Sequence, residues 1–385
     1  MSQIILIHYS EIGLKKGNRR EFEKKLIDNI AEKLAISPQK ITLANKYLIL
    51  PLPRKMRASE KIISQKLRKV FGIAWFAIAH RVEPRIEAIK KETKKSAKQI
   101  NQKETFAVRV KRVDKKFPLS SIKAEKILGQ IIVDQTRAKV DLANPDKTFF
   151  VEVDQKSAFL FFNKIPGLGG LPVGTAGKVL VLFSGGIDSP VAAWLMAKRG
   201  VKADLIHFSA LNSKQTAKSK IKKVYKELKE YLGESKLLIV PYIYFQLVVS
   251  HLPKEFIRYE VLLFRRFMLK TAFLLAEKEN YQALVLGDNL SQVASQTLEN
   301  LAVTDKGQNL PIFRPLLGYD KQEIIFLAKR IGTYQSSIEK YKDCCSLLHK
   351  QPIIKGKWEI LSRAEKQLKL DKLVKTSLEK AFIIN

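Results

Sequence analysis

The sequence predicts an α+β region on the N-terminal side and an α/β domain with a doubly wound parallel sheet on the C-terminal side. Its 385 residues are enough for two or three domains. A Gly- and Pro-rich stretch at 165–175 separates two kinds of sequence. After this stretch, continuous apolar strands alternate with helices, which is typical of a parallel sheet that is covered on both faces.

The composition is that of a globular protein with a strongly basic surface. Hydrophobic residues make up 46% and aromatic residues 9%, while 70 Lys and Arg against 37 Asp and Glu give a net charge of +33. Such an excess favours a partner rich in phosphate, although a lysine-rich genome is an alternative cause. No stretch approaches the ~18 apolar residues of a membrane span, and the N-terminus lacks a basic leader. We therefore expect a cytoplasmic protein that does not bind membranes.

Strands and helices alternate in the first 175 residues. The strands are predicted at 4–9, 41–52, 74–82, 105–113, 148–153 and 158–162, and the helices at 19–34, 59–70, 85–100 and 120–133. Asn18 is placed to cap the first helix. The strand at 105–113 has a basic outer face, because Arg109 and Lys111 alternate with apolar residues. Residues 1–175 hold 36 Lys and Arg against 17 Asp and Glu, so this half is the denser positive surface.

The strongest chemical signal is a glycine loop between an apolar strand, at 179–183, and a helix that has Pro190 in its first turn. Free amides at such a loop and helix start bind anions, and glycines let the backbone approach a phosphate closely. The loop residues expected to do so are Ser184, Gly185, Gly186 and Ser189. Asp188 repels phosphate directly, so we expect it to act through Mg²⁺ between its carboxylate and the phosphates. The pattern Ser-Gly-Gly-x-Asp-Ser resembles the PP-loop of the ATP pyrophosphatase superfamily.

Ligands of open parallel sheets bind beyond the carboxyl ends of the strands. His207, Phe208 and Gly287 lie at predicted strand ends, and Gln292 and Gln296 follow soon after. Arg265 and Arg266 are further candidates, in an otherwise largely apolar helix predicted at 261–275. The pair at 207–208 either flanks an adenine or caps the core. The arginine pair at 265–266 either contacts phosphate or forms a solvated face. The two glutamines are four residues apart and share a face of a helix predicted at 292–297.

Together these residues resemble the tRNA 4-thiouridine synthetase family, the ThiI type of tRNA sulfurtransferase. The matching stretches lie at 11–20, 168–175, 184–193, 292–299, 314–316, 320–325, 331–334 and 343–345. The resemblance implies a ferredoxin-like domain at 1–58, a THUMP domain that binds tRNA at 59–165, a linker at 166–177, and a PP-loop ATP pyrophosphatase domain at 178–385. It places nucleotide contacts on Leu182, Phe183, His207, Phe208, Arg265, Gly287 and Gln296.

The chemistry implied by the resemblance is activation followed by displacement. Attack of a uridine O4 (uridine 8 in the family) on ATP gives an adenylate and pyrophosphate, and sulfur then displaces AMP to give 4-thiouridine. Lys321 is the expected cation at the phosphates, unless Asp320 and Glu323 form only a capping box that leaves Lys321 solvated. Cys344 is the expected sulfur carrier and Cys345 its resolving partner, because nearby cations favour the thiolate. The alternative is that both cysteines are small buried hydrophobes.

The expected partners are tRNA and a sulfur donor. The basic N-terminal half would read tRNA shape and phosphates, and its candidate contacts are Arg109, Lys111, Arg112, Lys115 and Lys116. Long family members carry a C-terminal rhodanese domain with a persulfide cysteine, and this sequence has no cysteine after Cys345. We therefore expect sulfur from a separate cysteine desulfurase or another persulfide donor, and we do not expect thiamine-related sulfur transfer. A homodimer is compatible with the sequence, which does not determine the oligomeric state.

The sequence departs from the family pattern at 286–291, and two other functions are alternatives to 4-thiolation. The family usually has Thr-Gly-Glu-Ser-Leu-Gly where this chain has Leu-Gly-Asp-Asn-Leu-Ser at 286–291, so contacts of the nucleotide could differ there. Another PP-loop tRNA-modifying enzyme, for 2-thiolation or lysidine formation, would share the loop but lack the N-terminal motif. An RNA-binding protein without activity would be expected to lack the intact loop.

Overall fold

A computed structural model of the chain describes residues 2–52, 60–210, 215–216, 219–340 and 352–384. The chain divides into two compact units, residues 1–171 and 172–385. Within the described ranges, no helix is both long and apolar enough to cross a membrane.

The first unit is built on one mixed sheet. Its strands are β1 (Ser2–Tyr9), β2 (Thr42–Ala44), β3 (Tyr47–Pro51), β4 (Ile73–Val82), β5 (Thr105–Arg112), β6 (Lys139–Val140), β7 (Lys147–Val153), β8 (Ala158–Phe161) and β9 (Ile165–Pro166). Its helices are α1 (Arg19–Leu34), α2 (Glu60–Leu67), α3 (Ile86–Ser96) and α4 (Ser121–Thr136). The sheet order is β2-β3-β1-β4-β8-β7-β5-β6, and β9 also pairs with β4.

Strand β4 joins two halves of this sheet, because it pairs antiparallel with β1 on one side and with β8 on the other. Alternate residues of each strand face opposite ways. Ile5 and Ile7 therefore pack in the cluster that holds apolar residues of α1 and α2, whereas Ile4 and Leu6 pack in a separate cluster on the opposite face. In the other half, Phe106 and its alternating neighbours pack with residues of α3 and α4.

Three details of the first unit differ from the sequence prediction. The strand predicted at 41–52 is a hairpin of β2 and β3, which turns at Asn45 with a φ of 46°. Asn18 does precede α1, but its side chain makes no capping hydrogen bond. The short strands β6 and β9 were not predicted, because pairs of residues carry no measurable periodicity.

The Gly- and Pro-rich stretch predicted as a linker is hydrogen-bonded along much of its length. Gly167 and Gly169 donate their amides to the carbonyls of Ala74 and Ile73, and Leu171 is buried in the core of the first unit. Beyond the division, three consecutive amides from Gly174 onward donate to the Gly200 carbonyl. The boundaries proposed for the domains and for the linker stay predictions.

The second unit is an α/β domain. Its strands are β10 (Lys178–Leu182), β11 (Lys202–Ser209), β12 (Leu237–Pro241), β13 (Ala283–Val285), β14 (Ile312–Phe313) and β15 (Phe382–Ile384). Its helices are α5 (Asp188–Lys198), α6 (Lys220–Leu232), α7 (Ile243–Val249), α8 (Glu260–Lys278), α9 (Leu298–Asp305), α10 (Lys321–Ile331), α11 (Tyr334–Ser337), α12 (Trp358–Gln367) and α13 (Leu370–Glu379). The sheet order is β14-β13-β10-β11-β12-β15, and all neighbours are parallel except β12 and β15.

The predicted parallel sheet is thus confirmed for β10 to β14, whereas β15 adds an antiparallel edge strand. The sheet buries residues on both faces. Leu180 of β10 packs in the large cluster around α8, whereas Val179 and Val181 are buried on the other side, where α5 contacts β10 and β11. The strand order reverses at β10, since β11 lies on one side of it and β13 on the other. Such a reversal separates the loops that leave the strands and opens a crevice at their carboxyl ends.

Candidate nucleotide-binding site

A cavity of about 520 Å³ lies at the carboxyl ends of β10, β11 and β13. Of the residues predicted to contact the nucleotide, its walls include Leu182, Phe183, Ser184, Gly186, Ser189, His207, Phe208, Arg265, Gly287 and Gln296, together with Asp188. The predicted Gly185 is not part of the wall, although it belongs to the same loop. Sequence reasoning missed the apolar wall from α8, formed by Val261, Phe264 and Met268.

The loop between β10 and α5 is closed by its two serines. The Ser184 amide donates to Ser189 Oγ over 3.1 Å, and the Gly186 amide donates to Ser184 Oγ over 3.2 Å. Between them, Gly185 adopts a φ of +75°, a conformation that favours glycine. Helix α5 then begins at Asp188 without a capping side chain. Since its first amides have no such partner, the loop and helix start suit an anion.

Gly287 lets the end of β13 approach the start of α5. A Cβ atom on Gly287 would lie 2.8 Å from the Ser189 amide nitrogen and 3.0 Å from the Asp188 carbonyl carbon. Both contacts are with backbone, which cannot rotate away as a side chain could. The glycine is therefore required by close packing against the phosphate loop.

Lys321 contacts this loop from the start of another helix. Its Nζ lies 2.6 Å from Asp188 Oδ1, and its side chain is 41% exposed. Asp320 and Glu323 also form a complete capping box at the same helix start. The capping box is thus present, and the partly exposed Lys321 also pairs with the loop carboxylate, so it is not only a solvated neighbour. Its role at the phosphates stays a prediction.

The pair at 207–208 serves the core and the cavity wall at once. His207 is 1% exposed, and its Nδ1 lies 2.7 Å from the Phe183 carbonyl oxygen, which can only accept a hydrogen bond. Burial lowers the pKa of the His207 imidazole to about 4, so the ring is neutral near pH 7 with its proton on Nδ1. Phe208 packs edge-on against Phe267 of α8.

The two consecutive arginines of α8 point to different partners, and neither forms a solvated face. Arg265 lines the cavity and donates from Nη1 and Nη2 to Asp288, over 3.0 and 2.8 Å. Arg266 is not part of the cavity wall. It pairs with the buried Glu365, and its Nη1 donates to the Thr304 and Lys306 carbonyls near the end of α9.

Asp288 and Arg314 are the charged residues that sequence reasoning left without a role. Arg314 Nε donates to Asp288 Oδ2 over 2.9 Å, next to the bonds from Arg265. Burial by itself raises the pKa of the Asp288 carboxyl, but the charges and hydrogen bonds of both arginines outweigh it and lower the pKa to about 2. The signal that could have found them is position, since Asp288 follows β13 and Arg314 follows β14.

The prediction of a helix over 292–297 is wrong. The segment forms a 3₁₀ turn at Ala294–Gln296, and α9 begins only at Leu298, where the Thr297 hydroxyl accepts a bond from the Asn300 amide. Gln292 and Gln296 still line the same cavity, but as parts of a loop rather than one helix face.

The candidate tRNA contacts lie at β5 and the loop that follows it. Arg109, Lys111, Lys115 and Lys116 are exposed, whereas Arg112 is half-buried. The two arginines donate hydrogen bonds within the protein itself, Arg109 to the Leu142 carbonyl and Arg112 to the Phe117 and Leu119 carbonyls. Lys111 also has an internal partner, because its Nζ lies 3.7 Å from Glu152 Oε1. Lys115 and Lys116 are therefore the stronger candidates for contact with phosphate.

The cysteine pair and the metal site were also predicted from the sequence. Cys344 and Cys345 lie outside the described residues. Among the residues that are described, no group of three or more His, Cys, Asp or Glu side chains could hold a metal ion. Mg²⁺ often binds through one or two carboxylates together with substrate phosphates, and Asp188 at the loop fits that mode.

Comparison with family models accounts for most of the chain. Residues 174–370 match the model described as thiamine biosynthesis protein (ThiI), residues 83–163 match the THUMP domain, and residues 4–77 match the ThiI ferredoxin-like domain.

The relatives that match over nearly their whole length are probable tRNA sulfurtransferases. The chain is 38% identical to a probable tRNA sulfurtransferase of Thermoanaerobacter sp. (strain X514), over 97% of each chain. It is 38% identical to one of Coxiella burnetii (strain RSA 493 / Nine Mile phase I), over 99% and 98% of the two chains. Among solved structures, it resembles a 4-thiouridine synthetase in complex with RNA and bound ATP, with a TM-score of 0.86, 32% identity and full coverage of both chains. It also resembles PH1313 from Pyrococcus horikoshii Ot3, with a TM-score of 0.66, 25% identity, and 86% and 99% of the chains covered.

Replacing Gly287 by alanine is expected to weaken nucleotide binding. The added Cβ must push β13 away from the phosphate loop, and overpacking of this kind costs about 1–3 kcal/mol. Gly318→Ala is the matched control, because a Cβ there meets nothing within 4 Å. Calorimetric ATP titration and thermal unfolding of both variants test this. Equal ATP affinity of Gly287→Ala and Gly318→Ala would contradict the packing role.

The imidazole of His207 is expected to stay neutral down to about pH 4. Its folded pKa lies below the ordinary 6.5, so its contribution to stability is complete above pH 6.5 and declines as the pH falls towards 4. NMR titration of the histidine ring signals, with His207→Gln to assign the resonance, measures this directly. A midpoint near 6.5 for His207 would show that the ring is solvated.

Proposed function

This chain belongs to the ThiI family and is an ATP-dependent tRNA sulfurtransferase, and from that premise we propose how the cavity of the second unit performs the reaction. The single observation that carries the proposal is the meeting of the phosphate loop, Lys321 and Gly287 at one end of a parallel sheet. The substrate is a tRNA uridine, uridine 8 by family resemblance, and the product is 4-thiouridine. We place the reaction in the cytoplasm.

The first step is adenylation of the uridine. Uridine O4 attacks the α-phosphorus of ATP, the bond to the bridging oxygen breaks, and pyrophosphate leaves. The first amides of α5 and the ammonium of Lys321 stabilise the negative charge on the phosphates. Mg²⁺, when bound beside Asp188, would neutralise phosphate charge further. Closing of the loop by Ser184 and Ser189 holds these groups in place before ATP arrives.

The second step replaces the activated oxygen by sulfur. A cysteine desulfurase or another persulfide donor charges Cys344, whose terminal sulfur attacks C4 of the base while AMP leaves with the former O4. Cys345 then attacks the Cys344 sulfur, which releases the thiolated base and leaves a disulfide for a dithiol to reduce. Thiolates and persulfides are the competent nucleophiles for this exchange.

Recognition of tRNA belongs to the basic first unit, which carries the THUMP and ferredoxin-like matches. Phosphate contacts from lysine depend little on base sequence, so this surface selects tRNA by shape. The presence of both N-terminal modules favours 4-thiolation over the other PP-loop reactions considered from the sequence. A homodimer stays a prediction that light scattering can test.

The proposal is tested by reconstitution. Purified protein, unmodified tRNA, ATP, Mg²⁺, and a cysteine desulfurase with cysteine are expected to yield 4-thiouridine, which mass spectrometry of digested nucleosides detects. Omission of ATP is the control and should abolish the product. Formation of 2-thiouridine or lysidine would assign the protein to another PP-loop reaction.

Replacement of Cys344 by alanine is expected to separate the two steps. The variant should still release pyrophosphate from ATP when tRNA is present, because adenylation uses no thiol. It should form no 4-thiouridine, since the sulfur carrier is lost. Cys345→Ala is the companion variant, and it should accept one sulfur but turn over slowly. Full sulfur incorporation by Cys344→Ala would remove the assignment.

Charge reversal of the lysines at β5 is expected to weaken tRNA binding. Lys111, Lys115 and Lys116 replaced by glutamate should lower affinity and reduce the slope of log affinity against log salt by about one for each phosphate that the surface no longer neutralises. Reversal of the exposed Lys372, Lys375 and Lys380 changes the net charge equally and is the control. Filter binding at several salt concentrations measures the affinity and its salt dependence for both triple variants. Equal losses of affinity in the two variants would show that net charge alone explains the effect.

A further inference from the structure

A buried ion cluster centred on Asp288 lies in the cavity wall. Asp288 is 4% exposed and accepts hydrogen bonds from three side chains. Its Oδ1 accepts from Arg265 Nη1 over 3.0 Å and from Gln296 Nε2 over 3.3 Å. Its Oδ2 accepts from Arg265 Nη2 over 2.8 Å and from Arg314 Nε over 2.9 Å. Both carboxylate oxygens are therefore held from two directions.

The cluster connects two cavity-lining donors to one residue behind the wall. Arg265, Gln296 and Asp288 line the cavity, whereas Arg314 does not. Arg314 instead spans two carboxylates, since its Nε binds Asp288 and its Nη2 binds Asp305 Oδ1 over 2.7 Å. Its side chain is only 12% exposed, so it has little freedom to leave this position. The hydrogen bond to Asp288 is thus the contact by which Arg314 can position a group of the cavity wall.

Asp288 also decides which end of the Gln296 amide serves as an acceptor. A carboxylate can only accept hydrogen bonds, so the Gln296 nitrogen must face Asp288. Gln296 Oε1 is buried and makes no hydrogen bond to the residues that the structure describes. A buried amide oxygen without a partner is costly, and a ligand donor in the cavity would satisfy it.

We propose that Asp288 and Arg314 are positioning residues for ATP: Asp288 orients the Arg265 guanidinium and the Gln296 amide for the nucleotide, and Arg314 holds Asp288 from behind. The inference rests on the proposed function, because it assumes that ATP is the occupant of the cavity. A guanidinium has five N–H groups, Asp288 accepts from Nη1 and Nη2, and Arg265 lines the cavity where the nucleotide would bind. The same carboxylate fixes an acceptor on Gln296, so one buried group organises both kinds of contact.

Charge and geometry predict opposite results, which makes the inference testable. Arg265, Arg314 and Asp288 together carry one positive charge, and Asp288→Asn would raise this to two. If charge alone mattered, Asp288→Asn would bind the ATP anion more tightly. If Asp288 orients its neighbours, the same variant must bind ATP more weakly, because an amide cannot accept bonds at both of its ends.

The test measures the dissociation constant of ATP for purified full-length variants by calorimetry. Asp288→Asn and Arg314→Lys are each expected to raise it about 10- to 100-fold, the effect of losing a hydrogen bond to a charged group. Arg314→Lys keeps the positive charge but not the two-sided contact, and Asp288→Glu, which keeps the carboxylate, should lose less affinity than Asp288→Asn. Equal or tighter binding by folded Asp288→Asn would overturn the inference.

Glu365→Gln supplies the structural control. The substitution breaks the buried ion pair between Glu365 and Arg266, and Arg266 lies in α8 next to Arg265. Neither Glu365 nor Arg266 lines the cavity. The melting temperature of Glu365→Gln should fall as that of Asp288→Asn does, while its ATP dissociation constant should stay within about twofold of the parent. An equal loss of ATP affinity in Glu365→Gln would show that stability alone explains the effect. If Asp288→Asn does not fold, the ATP dissociation constant of Arg314→Lys tests the inference instead. Failure of the unmodified protein to bind ATP would instead refute the proposed function.

Discussion

The reversal of strand order at β10 is the constraint on which the rest of the second unit depends. Because β11 and β13 flank β10 on opposite sides, their connections run over different faces of the sheet and diverge at the carboxyl edge. The phosphate loop follows β10, the buried His207 lies near the end of β11, and Gly287 follows β13, so three segments distant in sequence meet in one crevice. Parallel pairing aligns the ends of the three strands, since Val181 of β10 is in register with Leu205 of β11 and with Val285 of β13.

Charged groups around the crevice are paired with one another. Asp188 is paired with Lys321, Arg265 with Asp288, and Asp288 with Arg314. Burying the charges of Arg265, Asp288 and Arg314 is unfavourable unless each has a partner, and removing one partner of a buried pair typically costs about 3–5 kcal/mol. The pair of Asp188 and Lys321 is more exposed and contributes less. The depressed pKa of Asp288 means that its contribution to stability is complete above about pH 4 and is lost as the pH falls towards 2. Stability and the geometry of the site therefore depend on the same contacts.

The sequence was sufficient for features that are local. The glycine loop, the capping box at Asp320 and the apolar strands are encoded within a few neighbouring residues, and each was found close to its predicted position. Features that depend on pairing across the fold were not predictable. The hairpin at Asn45 lacks a glycine, so the sequence at 41–52 indicated one strand. The destination of Arg266 depends on Glu365, 99 residues away, and the contact of Asp288 with Arg314 depends on the neighbouring strands β13 and β14.

If the cavity binds ATP for adenylation, the bond between the α- and β-phosphates of ATP is the one that breaks. Incubation of the protein with unmodified tRNA, Mg²⁺ and either [α-³²P]ATP or [γ-³²P]ATP, followed by thin-layer chromatography, tests it most directly. We expect the γ label in pyrophosphate and the α label in adenylated tRNA or AMP, only when tRNA is present. Appearance of the γ label in inorganic phosphate, with the α label in ADP, would contradict it.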